Sequence, residues 1–343
     1  MQQEADDAPR PGTRPLRGLE AFQDSLDAVA RGGRRHHALL LTGMRGSGKR
    51  TLAKALARGR LCRADEATRG AFGCSSCGAC GRVARGQHPD VSVVEREAGK
   101  TRVSVEALRQ LVDDLRLGSL EGGGRVAILA DADRLAREGQ NALLKTLEEP
   151  APATTLILTA ERPEGLLDTV RSRCERIAVP ALSTAEVAHF LRELLFDGAD
   201  VRGEAQVDHE RIARLARGSL GQAIELAGGK LALFEPFCRP IFERSSYASL
   251  APASFAARAL EGVDAGEDGL RQGKQQRAEA VLRLALALAS ERYEASAAGT
   301  SHDAGPDPWR VTELCFDALL DLDQGLGADI TLAGFYAALA SDA

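Results

Sequence analysis

No run in the 343-residue sequence approaches eighteen uncharged apolar residues, so no helix is expected to cross a membrane. The start, Met1-Gln-Gln-Glu-Ala-Asp-Asp7, lacks the basic residues and apolar core of a secretory signal, and the expected compartment is the cytoplasm. An excess of basic charge is missing too: 44 Lys and Arg face 49 Asp and Glu, a net charge of −5. That balance argues against nucleic-acid binding over the whole surface, though not against a local DNA contact, and makes protein partners the first expectation. There is no internal repeat. The apolar fraction of 44% and charged fraction of 27% are those of an ordinary globular chain, long enough for two or three domains.

Cysteine is sparse, seven in all, but four crowd together as Cys62-x₁₁-Cys74-x₂-Cys77-x₂-Cys80. In a cytoplasmic chain disulfides are the less expected use. Two overlapping C-x-x-C steps put three thiolates on one tight turn, and Cys62 at the end of a preceding helix closes a tetrahedron, the pattern of a structural zinc site with no open position. Such a site folds an insertion too short for its own core. His88 is a substitute ligand in principle, but four sulfurs suffice and it reads as a loop residue. Cys174, Cys238 and Cys315 are isolated and read as small buried hydrophobes.

What is present most distinctly is an apolar strand at Ala38–Thr42, the turn Gly43-Met-Arg-Gly-Ser-Gly-Lys49 and a helix from Thr51. Strand, GxxxxGK loop and helix are the setting of a phosphate-binding loop. Gly43, Gly46 and Gly48 let backbone N–H groups cradle phosphate oxygens, and Lys49 reaches the outer phosphates. The next residue should carry a hydroxyl for Mg²⁺ and is Arg50, which has no lone pair to offer. Thr51 comes one residue late, about 100° round the helix.

Further strands are expected at Val91–Val94, Arg125–Ala130, Leu156–Thr159 and Ile177–Val179. Helices are expected at Leu19–Ala30, after a Ser104 cap with Leu108, Leu111, Val112 and Leu115 inward, and over Gly139–Glu148 before Pro150. Alternating strands and helices indicate a parallel sheet covered on both faces. Beyond Pro180 only helices are expected. A capping box at Ser183–Glu186 opens the first, and short ones follow at Ile212–Ala216 and Gln222–Leu226. A buried one spans Gln275–Tyr293, and another carries the stripe Val311, Leu314, Cys315, Ala318, Leu319 and Leu322. Glu294–Asp307 reads as a loose connection.

The third strand runs into Ala130-Asp131-Ala132-Asp133. A P-loop ATPase needs an Asp for Mg²⁺ and then a Glu beside the attacking water, where this chain has Ala130 and Asp131. Asp131 and Asp133 are expected to cap the next helix instead.

Asn141-Ala-Leu-Leu-Lys-Thr-Leu-Glu-Glu-Pro150, with Ser172-Arg173-Cys174, the cysteine module and His88-Pro-Asp90, resembles the clamp-loader subunits of bacterial DNA polymerase III, of the AAA+ class. The resemblance runs from about Leu19 to Leu226 and is highly specific there; beyond it, only helical character and length match. It implies an α/β AAA+ P-loop domain with a parallel five-stranded sheet over residues 14–180, including a zinc module at about 62–80. A disordered tail at 1–13, a helical lid at 181–229 and an all-α collar for oligomerisation at 230–343 complete the expected organisation.

Family motors carry an intact phosphate loop, an Asp-Glu pair, a Thr ending the fourth strand and an Arg in a Gly-Ser-x-Arg helix start. Here those places hold Arg50, Ala130, Ala160 (Thr159 lies one place early) and Gly221 of Gly218-Ser-Leu-Gly221. The resemblance is therefore to a subunit that does not hydrolyse ATP, with weak or absent ATP binding at Gly43, Gly46, Gly48, Lys49 and Thr51. An active motor subunit and a free-standing P-loop regulator are the alternatives. By resemblance, Arg173 projects to the phosphates of ATP on a neighbouring subunit as a trans arginine finger; otherwise it is a surface arginine pairing with Glu175 or Glu149. The implied partners are gamma/tau-type ATPase subunits and a delta-type subunit, and through them the sliding clamp and primer-template DNA.

Overall fold

Five short runs pair as one parallel sheet. They are β1 (Ala38–Thr42), β2 (Val91–Val94), β3 (Arg125–Leu129), β4 (Thr154–Ala160) and β5 (Glu175–Ala178), in the order β2-β3-β4-β1-β5. β1 lies between β4 and β5, with Leu40 opposite Leu158 on one side and Arg176 on the other. The computed structural model describes residues 36–65, 70–96, 103–196, 208–242, 252–261, 267–298 and 307–341, with Phe22 and Leu26. The expected tail at 1–13 falls outside the described residues. So does most of the expected helix at Leu19–Ala30, of which Phe22 and Leu26 are helical.

β1 is apolar from Ala38 to Leu41 because both sheet faces are covered. Leu39 and Leu41 point to a core shared with Leu52, Leu56, Ile128 and Ile157. Ala38 and Leu40 point to the opposite core, with Leu108, Leu111, Leu143 and Leu158. Each fully buried leucine contributes roughly 1.5–3 kcal/mol relative to exposure. The first face is covered by α1 (Lys49–Leu61), the second by α3 (Val105–Arg116) and α4 (Arg137–Glu148). Ser104 caps α3, its Oγ accepting from the Ala107 N–H at 3.3 Å. Two short helices escape the sequence pattern: α2 (Gly78–Ala84), within the cysteine module, and α5 (Asp168–Arg171).

The chain divides into two compact units, the first reaching Glu186 and the second running from Val187 onward. α6 (Thr184–Phe196) starts at a reciprocal capping box, in which the Ser183 N–H donates to Glu186 Oε2 at 2.7 Å and the Glu186 N–H to Ser183 Oγ at 3.2 Å. The second unit continues with α7 (His209–Ala216), α8 (Leu220–Glu225), α9 (Leu231–Cys238), α10 (Pro252–Ala259), α11 (Glu267–Ala297), α12 (Pro308–Gln324) and α13 (Ala328–Ser341). Its core includes Phe234, Phe255, Val281, Leu282, Cys315 and Tyr336. Two details differ from expectation. α11 continues through Glu294 to Ala297, where a loose connection is expected, and Tyr293 on it is exposed. Among the described residues no helix is long and apolar enough to cross a membrane.

Candidate functional site

The phosphate loop lies between β1 and α1. Gly43, Gly46 and Gly48 have φ of 153°, 74° and 88°, which side-chain-bearing residues adopt rarely. A Cβ on Gly43 would stand 2.7 Å from the Val179 carbonyl oxygen. Lys49 turns back into the loop: its Nζ donates to the Gly43 and Met44 carbonyl oxygens, both at 2.8 Å, and its side chain is buried. Burial lowers its pKa below the usual lysine value, against the raising fields of Glu161, Asp131 and Asp133. The cradle is preformed and closed over its own lysine, so a phosphate would have to replace two carbonyls at the amine. Thr51 is exposed on the first turn of α1.

On the metal side of the loop the groups are engaged with each other. The Arg50 guanidinium pairs with the Glu95 carboxylate, just past β2. Ala130 is buried, its N–H donating to the Val94 carbonyl at 2.8 Å. Asp131 has φ 54° and its N–H donates to the buried Thr159 Oγ1 at 3.1 Å. The Thr159 hydroxyl thus accepts a bond from the backbone beside it. The expectation that Asp131 and Asp133 cap the next helix is not met. Asp131 makes no side-chain cap, α4 starts from Ala136, and Asp133 Oδ2 instead accepts the Arg162 N–H at 3.0 Å. Burial raises the Asp133 pKa, partly countered by that bond. Ala160 is buried opposite Thr42. In the second unit, Ser219 caps α8 through the Gln222 N–H, and Gly221 lies in its first turn.

Arg173 follows α5 at a sharp turn into β5. Its Nη1 donates to the Thr169 carbonyl at 3.0 Å and its Nη2 pairs with Glu148 at 2.8 Å. The carboxylate partner is therefore Glu148, rather than the Glu149 or Glu175 of the surface-pair alternative. The Arg173 side chain is 36% exposed. The neighbouring Cys174 packs on the sheet core, and burial pushes its thiol pKa up to about 12, so it is an anchor and not a nucleophile. Gln140, absent from the sequence reading, fixes the start of this segment. Its amide nitrogen donates to the Leu135 and Gly165 carbonyls at 3.2 and 3.0 Å, and its oxygen accepts the Leu167 N–H at 2.7 Å.

The sulfurs of Cys62, Cys74, Cys77 and Cys80 all lie within 4.8 Å of one another. Four thiolates at about 2.3 Å from zinc would stand roughly 3.8 Å apart, so a small contraction converts this cluster into that tetrahedron. Cys62 follows α1; Cys77 caps α2, and Cys80 sits in its first turn. The three C-x-x-C thiols are therefore split between a turn and a helix, where one tight turn is expected. Backbone N–H groups point at the sulfurs: Cys74 N–H to Cys62 at 3.3 Å, Cys77 N–H to Cys74 at 3.4 Å and Cys80 N–H to Cys77 at 3.5 Å. Such donors stabilise thiolates. The Ser76 hydroxyl and backbone bring the Cys74 pKa down to about 6, whereas burial raises that of Cys80.

Two glycines make room. A Cβ on Gly73 would stand 2.8 Å from Cys80 Sγ, and one on Gly59 would collide with the Ala71 carbonyl. This all-sulfur donor set fits zinc. His88 is outside the cluster, its Nδ1 accepting the Asp90 N–H at 3.1 Å.

A parallel sheet in this order, a phosphate loop after β1 and a helical second unit define a P-loop protein of the AAA+ type. A model of the family described as DNA polymerase III, delta subunit, matches residues 18–183. The chain is 42% identical over 142 residues to DNA polymerase III subunit delta' of Yersinia pestis, 41% of each chain. It is 34% identical over 215 residues to subunit tau of Escherichia coli (strain K12), covering 60% of this chain and 31% of tau. The gamma subunit-related protein of Thermotoga maritima aligns structurally over 95% of this chain and 99% of its own, with 16% identity and a TM-score of 0.46. Over residues 18–183 the chain is thus similar to the delta-prime subunits of DNA polymerase III. It spans less than half the length of these two curated relatives.

Proposed function

We propose that this chain is a cytoplasmic clamp-loader subunit that does not hydrolyse ATP and completes the ATP site of a neighbouring gamma/tau-type subunit through Arg173. The observation that carries the first half is the Arg50–Glu95 pair. A guanidinium stands where a metal-binding hydroxyl belongs, and with Ala130 behind it the site has neither usual protein ligand for Mg²⁺. Supplied in trans, an arginine on the transferring phosphate is worth on the order of 10³–10⁵ in rate in other NTPases. Residues 14–180 form the AAA+ domain, 181–229 the lid and 230–343 the collar that joins the ring. The ring, with its delta-type subunit, loads the sliding clamp onto primed DNA. Zinc held by Cys62, Cys74, Cys77 and Cys80 acts as a cross-link in the insertion.

The test is ATP turnover by the purified chain, alone and mixed with the ATPase subunits. Alone it should show no steady hydrolysis, and any nucleotide binding should depend little on Mg²⁺. Intact geometry from Gly43 to Lys49 favours the runner-up, an active motor subunit. Turnover at a motor's rate, abolished by Lys49→Ala, would establish that alternative. Failure to bind any clamp-loader subunit in a pull-down would point to a free-standing regulator.

A further inference from the structure

We propose that Glu121, which is not a metal ligand, is a positioning residue for the cysteine centre; this rests on reading the four cysteines as a zinc site. Glu121 lies in the segment leading into β3, remote in sequence from the cysteines. Arg63, next to Cys62, donates from Nη2 to the Glu121 carbonyl at 2.6 Å and to Oε2 at 3.0 Å. Arg82, two residues after Cys80, donates to the same Oε2. The outermost two cysteines of the set are thus tied, through one arginine each, to a single carboxylate.

The ties reach the sulfurs and the domain core. The Arg63 backbone N–H is itself a hydrogen-bond donor to Cys77, so fixing the Arg63 side chain also fixes a donor to a thiolate. Glu121 is in turn held from behind: its N–H donates to the buried Asp90 carboxylate at 3.0 Å, and His88 Nε2 stands 3.7 Å from its Oε2. Its carboxylate is 22% exposed, against 35% for Arg82 and 53% for Arg63, so the Arg82 pair is the better shielded of the two. Gathering Cys62 and Cys80 from the two ends of the insertion costs loop-closure entropy. A carboxylate that grips both ends lowers that cost before metal arrives, and groups behind the ligands typically set metal affinity about 10–100-fold.

The experiment uses the full chain purified with zinc and measures zinc transfer to a chromogenic chelator, with Co²⁺ titration of the metal-free protein. Glu121→Gln should release zinc about tenfold faster and bind Co²⁺ about tenfold more weakly. Its Co²⁺–thiolate spectrum should not change, since the same four sulfurs bind. Glu121→Asp, keeping the charge but not the reach, should fall between. Arg63→Met and Arg82→Met should each reproduce part of the loss, and they carry the test if Glu121→Gln does not fold. Ser104→Ala, which removes the α3 cap, should lower thermal stability and leave release unchanged. Release from Glu121→Gln within twofold of wild type, or a loss matched by Ser104→Ala, would overturn the proposal while zinc itself remained. Wild-type protein that binds neither metal would overturn the zinc reading and this inference together.

Discussion

Arg173 is held from two sides, by the Thr169 carbonyl and the Glu148 carboxylate. To act on a neighbour's ATP it must exchange Glu148 for phosphate oxygens. A pair this exposed is worth about 0–1 kcal/mol, so the exchange is cheap and Arg173→Ala should leave the urea midpoint almost unchanged. The loss should appear in the assembly as a partial fall in DNA- and clamp-stimulated ATP hydrolysis, because other sites keep their own arginines. Arg173→Lys should rescue poorly, since an ammonium lacks the planar fork that spans two oxygens. Assemblies carrying Arg173→Ala that load clamps at the wild-type rate would reduce the residue to a surface ion pair. Gln140 behaves differently. Gln140→Leu leaves the Leu167 N–H and two carbonyls without their partner, a cost of about 1–3 kcal/mol. It should lower the urea midpoint and, by loosening the segment before Arg173, also lower the assembly's hydrolysis. An unchanged midpoint would show the three hydrogen bonds to be dispensable.

At the scale of elements, the central strands were the easiest to read, because burial on both faces makes them short, largely apolar runs, as in Leu39 to Leu41. Caps at Ser104 and Ser183 were equally legible, being local chemistry. α2 was not: Gly78-Ala-Cys-Gly has little helical preference, and its first turn is set by the Cys77 cap. Gln140 and Glu121 were invisible for another reason, since all their side-chain partners but the Leu135 carbonyl lie 25 to 58 residues away in sequence. Asp90 shows what such links do to stability. Burial alone would raise its pKa, but the Leu120 and Glu121 N–H groups, the Ser119 hydroxyl and Arg125 outweigh that and lower it below 3.8. Its contribution is therefore full above the unfolded pKa and is lost as pH falls through the lower, folded one. Chemical denaturation across a pH series should show wild type losing stability below about pH 4. Asp90→Asn should be less stable at pH 7 and flatter in acid. Acid would strip any metal from the thiolates of both proteins alike, so the difference between the curves belongs to Asp90. Parallel curves would remove it from the account.

For the whole molecule, the proposed role requires association, and the second unit carries a surface suited to it. Trp309, Phe316 and Leu320 on α12 are 68%, 59% and 48% exposed. At about 100° per residue they fall within a stripe roughly 40° wide. Monomeric soluble proteins rarely leave such apolar surface contiguous and bare. Glu313, Asp317, Asp321 and Asp323 lie on the same helix against one base, Arg310. Two copies meeting stripe to stripe would bring like charges together, so a subunit with a basic border fits better. Trp309 is the only tryptophan in the chain, which makes the face self-reporting. Alone, the protein should emit as a water-exposed indole. Mixed with the gamma/tau-type subunit, its emission should shift to the blue and gain protection from a soluble quencher, after correction for the partner's own signal. Phe316→Asp should abolish the shift and the complex on gel filtration while leaving the far-ultraviolet circular dichroism unchanged. A complex that forms with Trp309 still fully quenchable would place the contact elsewhere on the chain, and the stripe would then need another explanation.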